Sequence, residues 1–328
     1  MIRAASQQAP AGAAVQPSGV LVIDKPEGWT SHDVVARVRR ILQTRKAGHT
    51  GTLDPMATGV LPVCVGDATK VAGLAQAADK VYQVTVKLGV ATDTQDRTGT
   101  VTAVTPLDPA LDWDGLVRAR LAGMVGGMLQ TPPMYAAVKM GGEPLYKKAR
   151  RGEVVERAPR RITIHAITDV VVAAPEVRFT VACGKGTYVR TLAADLGDAL
   201  GVGAHLTALR RTACGLVGEA DAVTLAGLEQ AVLEGDIARV MRGEDFLLAD
   251  LPALVVSEYT AQRMVQGIAP TVSEWAHDPG DGPAVGSVSP APGLCRVYGA
   301  ARGFFALVEI GTDPVRPARI RRIIKNRV

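Results

Sequence analysis

An aspartate set among glycines is the first place in this sequence where chemistry can happen. The run Gly48-His49-Thr50-Gly51-Thr52-Leu53-Asp54-Pro55-Met56-Ala57-Thr58-Gly59 holds three glycines, which permit unusual backbone angles and close approach of a ligand. Asp54 precedes a proline, which biases it towards an extended backbone and limits where its carboxylate can point. A carboxylate fixed in that way can serve as a nucleophile or a general base. The same Asp-Pro step is also a common turn.

A second candidate is Gly184-Lys185-Gly186-Thr187-Tyr188-Val189-Arg190. It is not a nucleotide phosphate loop. That motif needs a glycine where Phe179 stands and a hydroxyl residue where Gly186 stands. What remains is a glycine turn that presents a helix N-terminus, a favourable place for an anion. Arg190 adds a permanent cation there, so the site can hold a phosphate, pair with and orient Asp54, or form a structural salt bridge. Tyr82 reads either as a core residue or as a stacking surface for a base, since aromatic faces bind bases largely irrespective of sequence. The five histidines show no ligand spacing, so no metal is assigned.

The elements that must position these residues can be read from periodicity. Gly19 to Asp24 is a short apolar strand, followed by the turn Lys25-Pro26-Glu27-Gly28. Thr30 or Ser31 caps a helix whose apolar stripe is Val34, Val35, Val38, Ile41 and Leu42. Val81 to Leu88 alternates strictly, with Tyr82, Val84, Val86 and Leu88 on one face. Val177, Phe179 and Val181 mark another strand, and Val189 to Leu200 has helical spacing, which places Tyr188 and Arg190 in a first helical turn. Glu219 to Arg242 reads as mostly helical. Beyond Asp250 the character changes to short apolar strands with Gly and Pro turns, including a Pro/Gly/Ser-rich loop from Ala276 to Gly293.

The fold class expected is therefore α+β: a mixed, mainly antiparallel central sheet with flanking helices, followed by a small β-rich unit. Residues 1–18 read as a disordered tail, 19–250 as a catalytic body and 251–328 as a separate module. The 328 residues carry 37 Lys plus Arg against 32 Asp plus Glu, with 47% hydrophobic content. That composition excludes general disorder. No apolar run is long enough for a transmembrane helix, and the tail lacks the continuous apolar core of a secretory signal. Four widely spaced cysteines argue against a disulfide framework, and the default compartment is the cytoplasm. Basic residues cluster at 34–53, 139–161 and 316–327, either as a footprint for a polyanion or as three solvated faces.

The Asp54 loop, the Asp24-Lys25-Pro26 turn, Tyr82 in its strand and the Gly184 to Leu196 segment together resemble the TruB-type tRNA pseudouridine synthases. The resemblance runs in order from about Gly19 to Val328. The run Arg263 to Pro270 is similar to part of the family's PUA-type RNA-binding module. The resemblance implies a pseudouridine synthase fold with a PUA-like barrel. It also implies isomerisation of one T-loop uridine of tRNA, position 55, with neither metal nor organic cofactor. Asp54 matches the family's essential aspartate, and Arg190 the arginine paired with it. Tyr82 matches the tyrosine that stacks on the target base and is a proposed proton acceptor. Tyr188 and Leu209 match pocket-lining residues, and His49 a residue beside the flipped-out nucleotides. Lys25 and Pro26 match a supporting motif.

The bottom-up chemistry is consistent with that expectation. A uridine stacked in a folded loop hides C1′ and C6, so it must be extruded, at a cost an aromatic surface partly recovers. Basic stretches then hold phosphates, which gives position more than sequence information. Two other readings use the same groove: a non-catalytic tRNA binder or folding chaperone, and the same isomerisation on another RNA hairpin. The expected partner is the tRNA T-arm, with no membrane and no protein partner.

Overall fold

Of the two residues that could cap the first helix, Thr30 and Ser31, Thr30 does so. Its hydroxyl accepts from the backbone N–H of Asp33 at 3.1 Å, and the Asp33 carboxylate accepts from the backbone N–H of Thr30 at 2.9 Å. This reciprocal cap satisfies two donors a helix start otherwise leaves open. Val34, Val35 and Val38 of the same helix are buried, as their spacing demands.

The computed structural model describes residues 17–324 apart from 137–138, 141, 154, 272–291, 300–301 and 314–315. The expected tail, except residues 17–18, and the Pro/Gly-rich loop, except residues 292–293, lie outside the described residues. In chain order, β1 (Gly19–Lys25) leads to α1 (Ser31–Ile41), β2 (Ala47–His49), β3 (Thr58–Val65), the short α2 (Ala72–Ala75) and β4 (Lys80–Leu88). A small pair, β5 (Val90–Thr92) and β6 (Val101–Val104), precedes α3 (Trp113–Gly123) and β7 (Gly126–Gln130). Next come β8 (Lys139–Met140), β9 (Glu143–Pro144) and α4 (Leu145–Arg150). β10 (Arg160–Ala173), β11 (Glu176–Cys183), α5 (Val189–Ala199), β12 (Ala204–Cys214), β13 (Val217–Gly218), α6 (Leu225–Leu233) and β14 (Met241–Arg242) complete the larger part. The C-terminal part holds β15 (Ala253–Val256), α7 (Glu258–Val265), β16 (Gly293–Gly299), β17 (Gly303–Ile310) and β18 (Arg319–Ile323).

The main sheet runs β14-β1-β3-β12-β4-β11-β10-β7, with β2 on β3 and β13 on β12. Its pairings are antiparallel except β3 with β12, which is parallel and short. β12 thus lies between β3 and β4, two strands that stand close together in the sequence. Arg211 is the register partner of Gly59 on one side and of Tyr82 on the other. Gly59 sits at φ 99°, and a Cβ there would lie 2.2 Å from the carbonyl oxygen of Arg211. Only glycine lets the end of the Asp54 loop close onto β12. The core under the sheet is apolar, with Leu192 and Leu196 of α5 wholly buried alongside Val84, Val86 and Val181 of the strands.

The expected α+β architecture is the one observed. The stretch from Glu219 to Arg242 differs from its mostly helical reading. It breaks into a 3-10 turn at Glu219–Asp221, α6, and a second turn at Ile237–Arg239. Gly235, at φ 73°, takes the left-handed conformation that ends a helix, and the chain then pairs Met241 and Arg242 with Leu21 and Val20.

The C-terminal strands form their own sheet, β15-β16-β17-β18. It has a core of its own around Met264, Cys295, Phe305 and Val308. A second apolar cluster joins Phe304, Leu307 and Ile324 to Val71 and Leu248 of the larger part. Between the two parts, Arg296 donates to Asp245 at 2.9 Å and to the carbonyls of Ala249 and Leu251 at 3.0 Å. No helix among the described residues is long and apolar enough to cross a membrane.

Candidate active site

The backbone on both sides of Asp54 is pinned. Before it, the Ser31 hydroxyl accepts from the N–H of Leu53 at 2.8 Å and donates to the carbonyl of Leu53 at 3.1 Å. After it, the carbonyl of Pro55 accepts from the N–H of Gly28 at 2.8 Å and from the Lys25 ammonium at 3.2 Å. Lys25 also donates to the carbonyl of Pro26 at 2.9 Å. Its side chain is wholly buried beneath the loop, and that burial lowers its pKa to about 8, although the Asp54 charge acts to raise it. The Lys25-Pro26 turn therefore serves the aspartate by holding its loop. Leu53, Met56 and Ala57 anchor the same loop in the apolar core.

Across the cavity, α5 starts directly after the Gly184–Thr187 turn, with Tyr188 as its N-cap residue. Arg190, in the first turn, is 4% exposed. Its Nε donates to Oδ2 of Asp54 at 2.7 Å and its Nη2 to Oδ1 at 3.2 Å. The guanidinium is held in turn by the carbonyls of Thr94 at 3.1 Å and Tyr135 at 2.9 Å. Asp96 stands 3.7 Å from Nη1 on the far side. The side chain of Asp54 keeps about a third of its surface open to the cavity. Of the roles open to Arg190 in the sequence, the structure shows the pairing with Asp54: a two-pronged contact with one carboxylate face turned to solvent.

A cavity of about 430 Å³ lies in front of this pair. Its wall brings together His49, Asp54, Tyr82, Tyr188, Arg190 and Leu209, residues from well-separated stretches of the chain. Lys25, also singled out in the sequence, lies below the loop and does not line it. Tyr82 is 8% exposed. Burial pushes its phenol up to about 12, against the pull of the neighbouring Arg211 charge. Its phenol is therefore neutral at any ordinary pH, and the residue is packed in the core while part of it lines the cavity. Burial likewise lowers the pKa of His49, with Arg211 and His32 adding to the effect. Its Nδ1 is buried with no hydrogen-bond partner.

Sequence reasoning misses three residues of the site. Gln130 is 3% exposed. Its side-chain amide accepts from the N–H of Tyr188 at 2.8 Å and donates to the carbonyl of Tyr188 at 3.1 Å, fixing the residue that opens α5. Arg211 is 1% exposed and Lys80 8%, and both line the cavity. The signal for these two is present in the sequence. Each is a cation on the inward face of an alternating strand, two residues from Leu209 and Tyr82 respectively.

The basic stretches divide between structure and surface. Arg37 pairs with Glu229 across α1 and α6, and Arg39 donates to the carbonyl of Ala47 at 2.6 Å. Arg40, Arg45, Lys46, Arg160, Arg161, Arg319 and Arg322 are exposed.

Residues 39–189 match the model of the TruB family pseudouridylate synthase N-terminal domain, and residues 190–248 that of the tRNA pseudouridylate synthase B C-terminal domain. The boundary between the two falls inside α5, at Arg190, within one continuous body. The chain is 46% identical to tRNA pseudouridine synthase B of Burkholderia mallei (strain NCTC 10247) over 302 residues, 92% of this chain and 96% of that protein. It is 45% identical to tRNA pseudouridine synthase B of Geobacter sulfurreducens over 273 residues, 82% and 88% of the two chains. Among solved structures, it is similar to one chain of the archaeal box H/ACA sRNP Nop10–Cbf5 complex, with a TM-score of 0.67 at 25% identity, covering 94% of this chain and 86% of that one. It also matches a chain of an H/ACA RNP bound to a substrate RNA containing 2′-deoxyuridine, with a TM-score of 0.68 at 23% identity and coverage of 94% and 85%.

Proposed function

The chain belongs to the TruB family of pseudouridylate synthases, an RNA uridine isomerase acting on tRNA, and from that premise we propose that its target is the T-loop uridine, position 55, and that Asp54 is its essential carboxylate. The observation that carries this reading is the two-pronged Asp54–Arg190 contact opening onto a cavity walled by Tyr82.

The target nucleotide is turned out of the loop, because a stacked base hides the atoms that must react. Tyr82 receives the pyrimidine on its ring face and offsets part of the unstacking cost. Leu209 and Tyr188 close the walls, and His49, neutral through burial, occupies the space beside the displaced neighbours. Asp54 then engages the nucleoside. Attack at C1′, attack at C6 and proton removal from C2′ all use this carboxylate, which Arg190 holds at a fixed angle with one side free. The C1′–N1 bond breaks, the pyrimidine turns within the cavity, and C5 bonds to C1′.

Exposed arginines and lysines at 40–46, 160–161 and 319–322 supply phosphate contacts, which set the orientation of the T-arm. In this reading residues 19–250 are the catalytic body and 251–328 a PUA-like RNA-binding module. The enzyme needs neither metal nor organic cofactor and works where tRNA is made, in the cytoplasm.

The test uses an unmodified tRNA transcript with tritium at C5 of uridine. Wild-type protein releases about one label per tRNA, the count expected when each target C5 gives up its hydrogen once. Asp54→Asn releases none and still binds tRNA within a few-fold. Release by the variant removes Asp54 from the chemistry. Tight binding with no release by either protein makes the chain a tRNA binder or folding chaperone. Release from an isolated T-loop-like hairpin of another RNA in preference to tRNA moves the target.

A further inference from the structure

Two cations lie at the floor of the cavity, and among the described residues no acid of the cavity wall besides Asp54 answers them. Lys80 and Arg211 both line it, nearly out of reach of solvent. They meet beneath Gly51, where an added Cβ would lie 3.6 Å from Nη1 of Arg211 and 3.9 Å from Cε of Lys80. On the sheet, Lys80 stands in register between Cys183 of β11 and Cys214 of β12. The Cys183 thiol is neutral, pushed up to about 11 by burial. The carboxylate that acts on Lys80 is that of Asp79, which is 65% exposed and turned to His165 at 3.2 Å. Burial, and to a smaller degree the neighbouring Arg211, lower the pKa of Lys80.

Each cation is fixed by uncharged oxygens. Lys80 donates to the carbonyls of Gln76, at 2.9 Å, and Ala78. Arg211 donates to the carbonyls of Val60 at 2.7 Å and Gly51 at 3.2 Å. An ammonium has three donors, so one remains for the cavity. Two desolvated like charges are costly to keep side by side. The cost is offset when negative charge forms beside them.

The reaction generates such a charge. When the C1′–N1 bond breaks, its electron pair stays on the pyrimidine, whichever carbon Asp54 engages. The detached ring is then an anion, with the charge shared between N1 and the carbonyl oxygens. The pair is spent when C5 bonds to C1′; C5 afterwards gives up its proton, and N1 takes one. We propose that Lys80, backed by Arg211, is a further catalytic residue, whose ammonium binds a carbonyl oxygen of the detached uracil and stabilises its anion. The site is complementary to the charge that develops during reaction and not to neutral uridine. This inference rests on the isomerase reading above.

The test compares Lys80→Gln and Lys80→Arg in the full chain. The glutamine amide retains donors for the carbonyls of Gln76 and Ala78 but carries no charge; the arginine keeps the charge. Lys80→Gln should slow single-turnover tritium release about 100-fold, in line with loss of one pre-placed donor, while tRNA affinity stays within about threefold. Lys80→Arg should recover most of that loss. A tRNA with 5-fluorouridine at the target gives the second readout, followed as loss of the N-glycoside after nuclease digestion. Fluorine stabilises the uracil anion, so the deficit of Lys80→Gln should shrink about tenfold. Release at the wild-type rate by Lys80→Gln overturns the proposal, because Lys80 would then only tie down its own loop. An equal deficit on both substrates, or a loss confined to tRNA affinity, overturns it too. If the wild-type protein itself releases no tritium, the isomerase reading falls first.

Discussion

Replacing Arg190 by lysine keeps the charge and removes the geometry, which makes it the sharpest probe of the Asp54 contact. The guanidinium reaches both carboxylate oxygens, at 2.7 and 3.2 Å, while bonding the carbonyls of Thr94 and Tyr135 on its other edges. A lysine places one nitrogen where arginine places three. It can meet one oxygen of Asp54 and one carbonyl, so two of the four contacts are lost. Each hydrogen bond to a charged group contributes about 1.5–3 kcal/mol. Water entering from the open side of Asp54 repays part of that, leaving a loss of about 3–4 kcal/mol. At about 1.36 kcal/mol per decade, single-turnover tritium release should slow by about 10²–10³-fold. Filter binding should show tRNA affinity within about threefold, because Arg190 lies behind Asp54 and is 4% exposed. A rate within about tenfold of wild type, or a loss that appears in affinity alone, would refute the claim that this pair sets the angle of the carboxylate.

Gln130→Leu leaves the N–H and carbonyl of Tyr188 without their partner. Urea unfolding should show a loss of about 1–3 kcal/mol, and the single-turnover rate should fall about tenfold with tRNA affinity unchanged; an unchanged rate would show that α5 starts correctly without the clasp. Lys25 titrates near 8 in the folded protein against 10.5 when solvated. Below pH 8 both states hold the proton. Between 8 and 10.5 the unfolded chain binds more protons than the folded one, so this residue's contribution to stability rises with pH. The thermal midpoint of the wild type, compared with Lys25→Met, should therefore gain ground from about pH 7.5 to about pH 9.5. A constant difference would mean that Lys25 is not desolvated.

Local features of this fold are legible in the sequence. Thr30 or Ser31 announces the start of α1, the alternation from Val81 to Leu88 gives the buried face of β4, and the glycine turn before Tyr188 places Arg190 in a first helical turn. The Asp54–Arg190 pair is legible too, as one of several options, because opposite charges on two rigid turns have few other uses. What stays hidden depends on register between distant strands. Arg211 and Lys80 meet only because β12 inserts beside β4, and no local pattern states that insertion. Gln130 is hidden for another reason: an amide that mimics a strand partner has no period and no preferred neighbour. The reading of Glu219 to Arg242 as mostly helical fails where Met241 and Arg242 find unpaired backbone on β1, a tertiary opportunity that overrides a local pattern.

The place of β12 also sets when this protein can first act. Asp54 and Tyr82 lie on segments that leave the ribosome early, but the strand that joins β3 to β4 is made only after β11 and α5. At about 5–20 residues per second, about 6–25 s separate the end of β4 from the end of β12. Through that interval residues 58–59 of β3, which β2 does not reach, and the β12 side of β4 present open backbone, the kind of edge that pairs with the wrong chain. A nascent chain that stops short of Arg211 holds its carboxylate and its tyrosine and has no floor between them. Competence therefore arrives in one step, late in synthesis, when a single strand closes the sheet, the cavity and the loop anchor at Gly59 together.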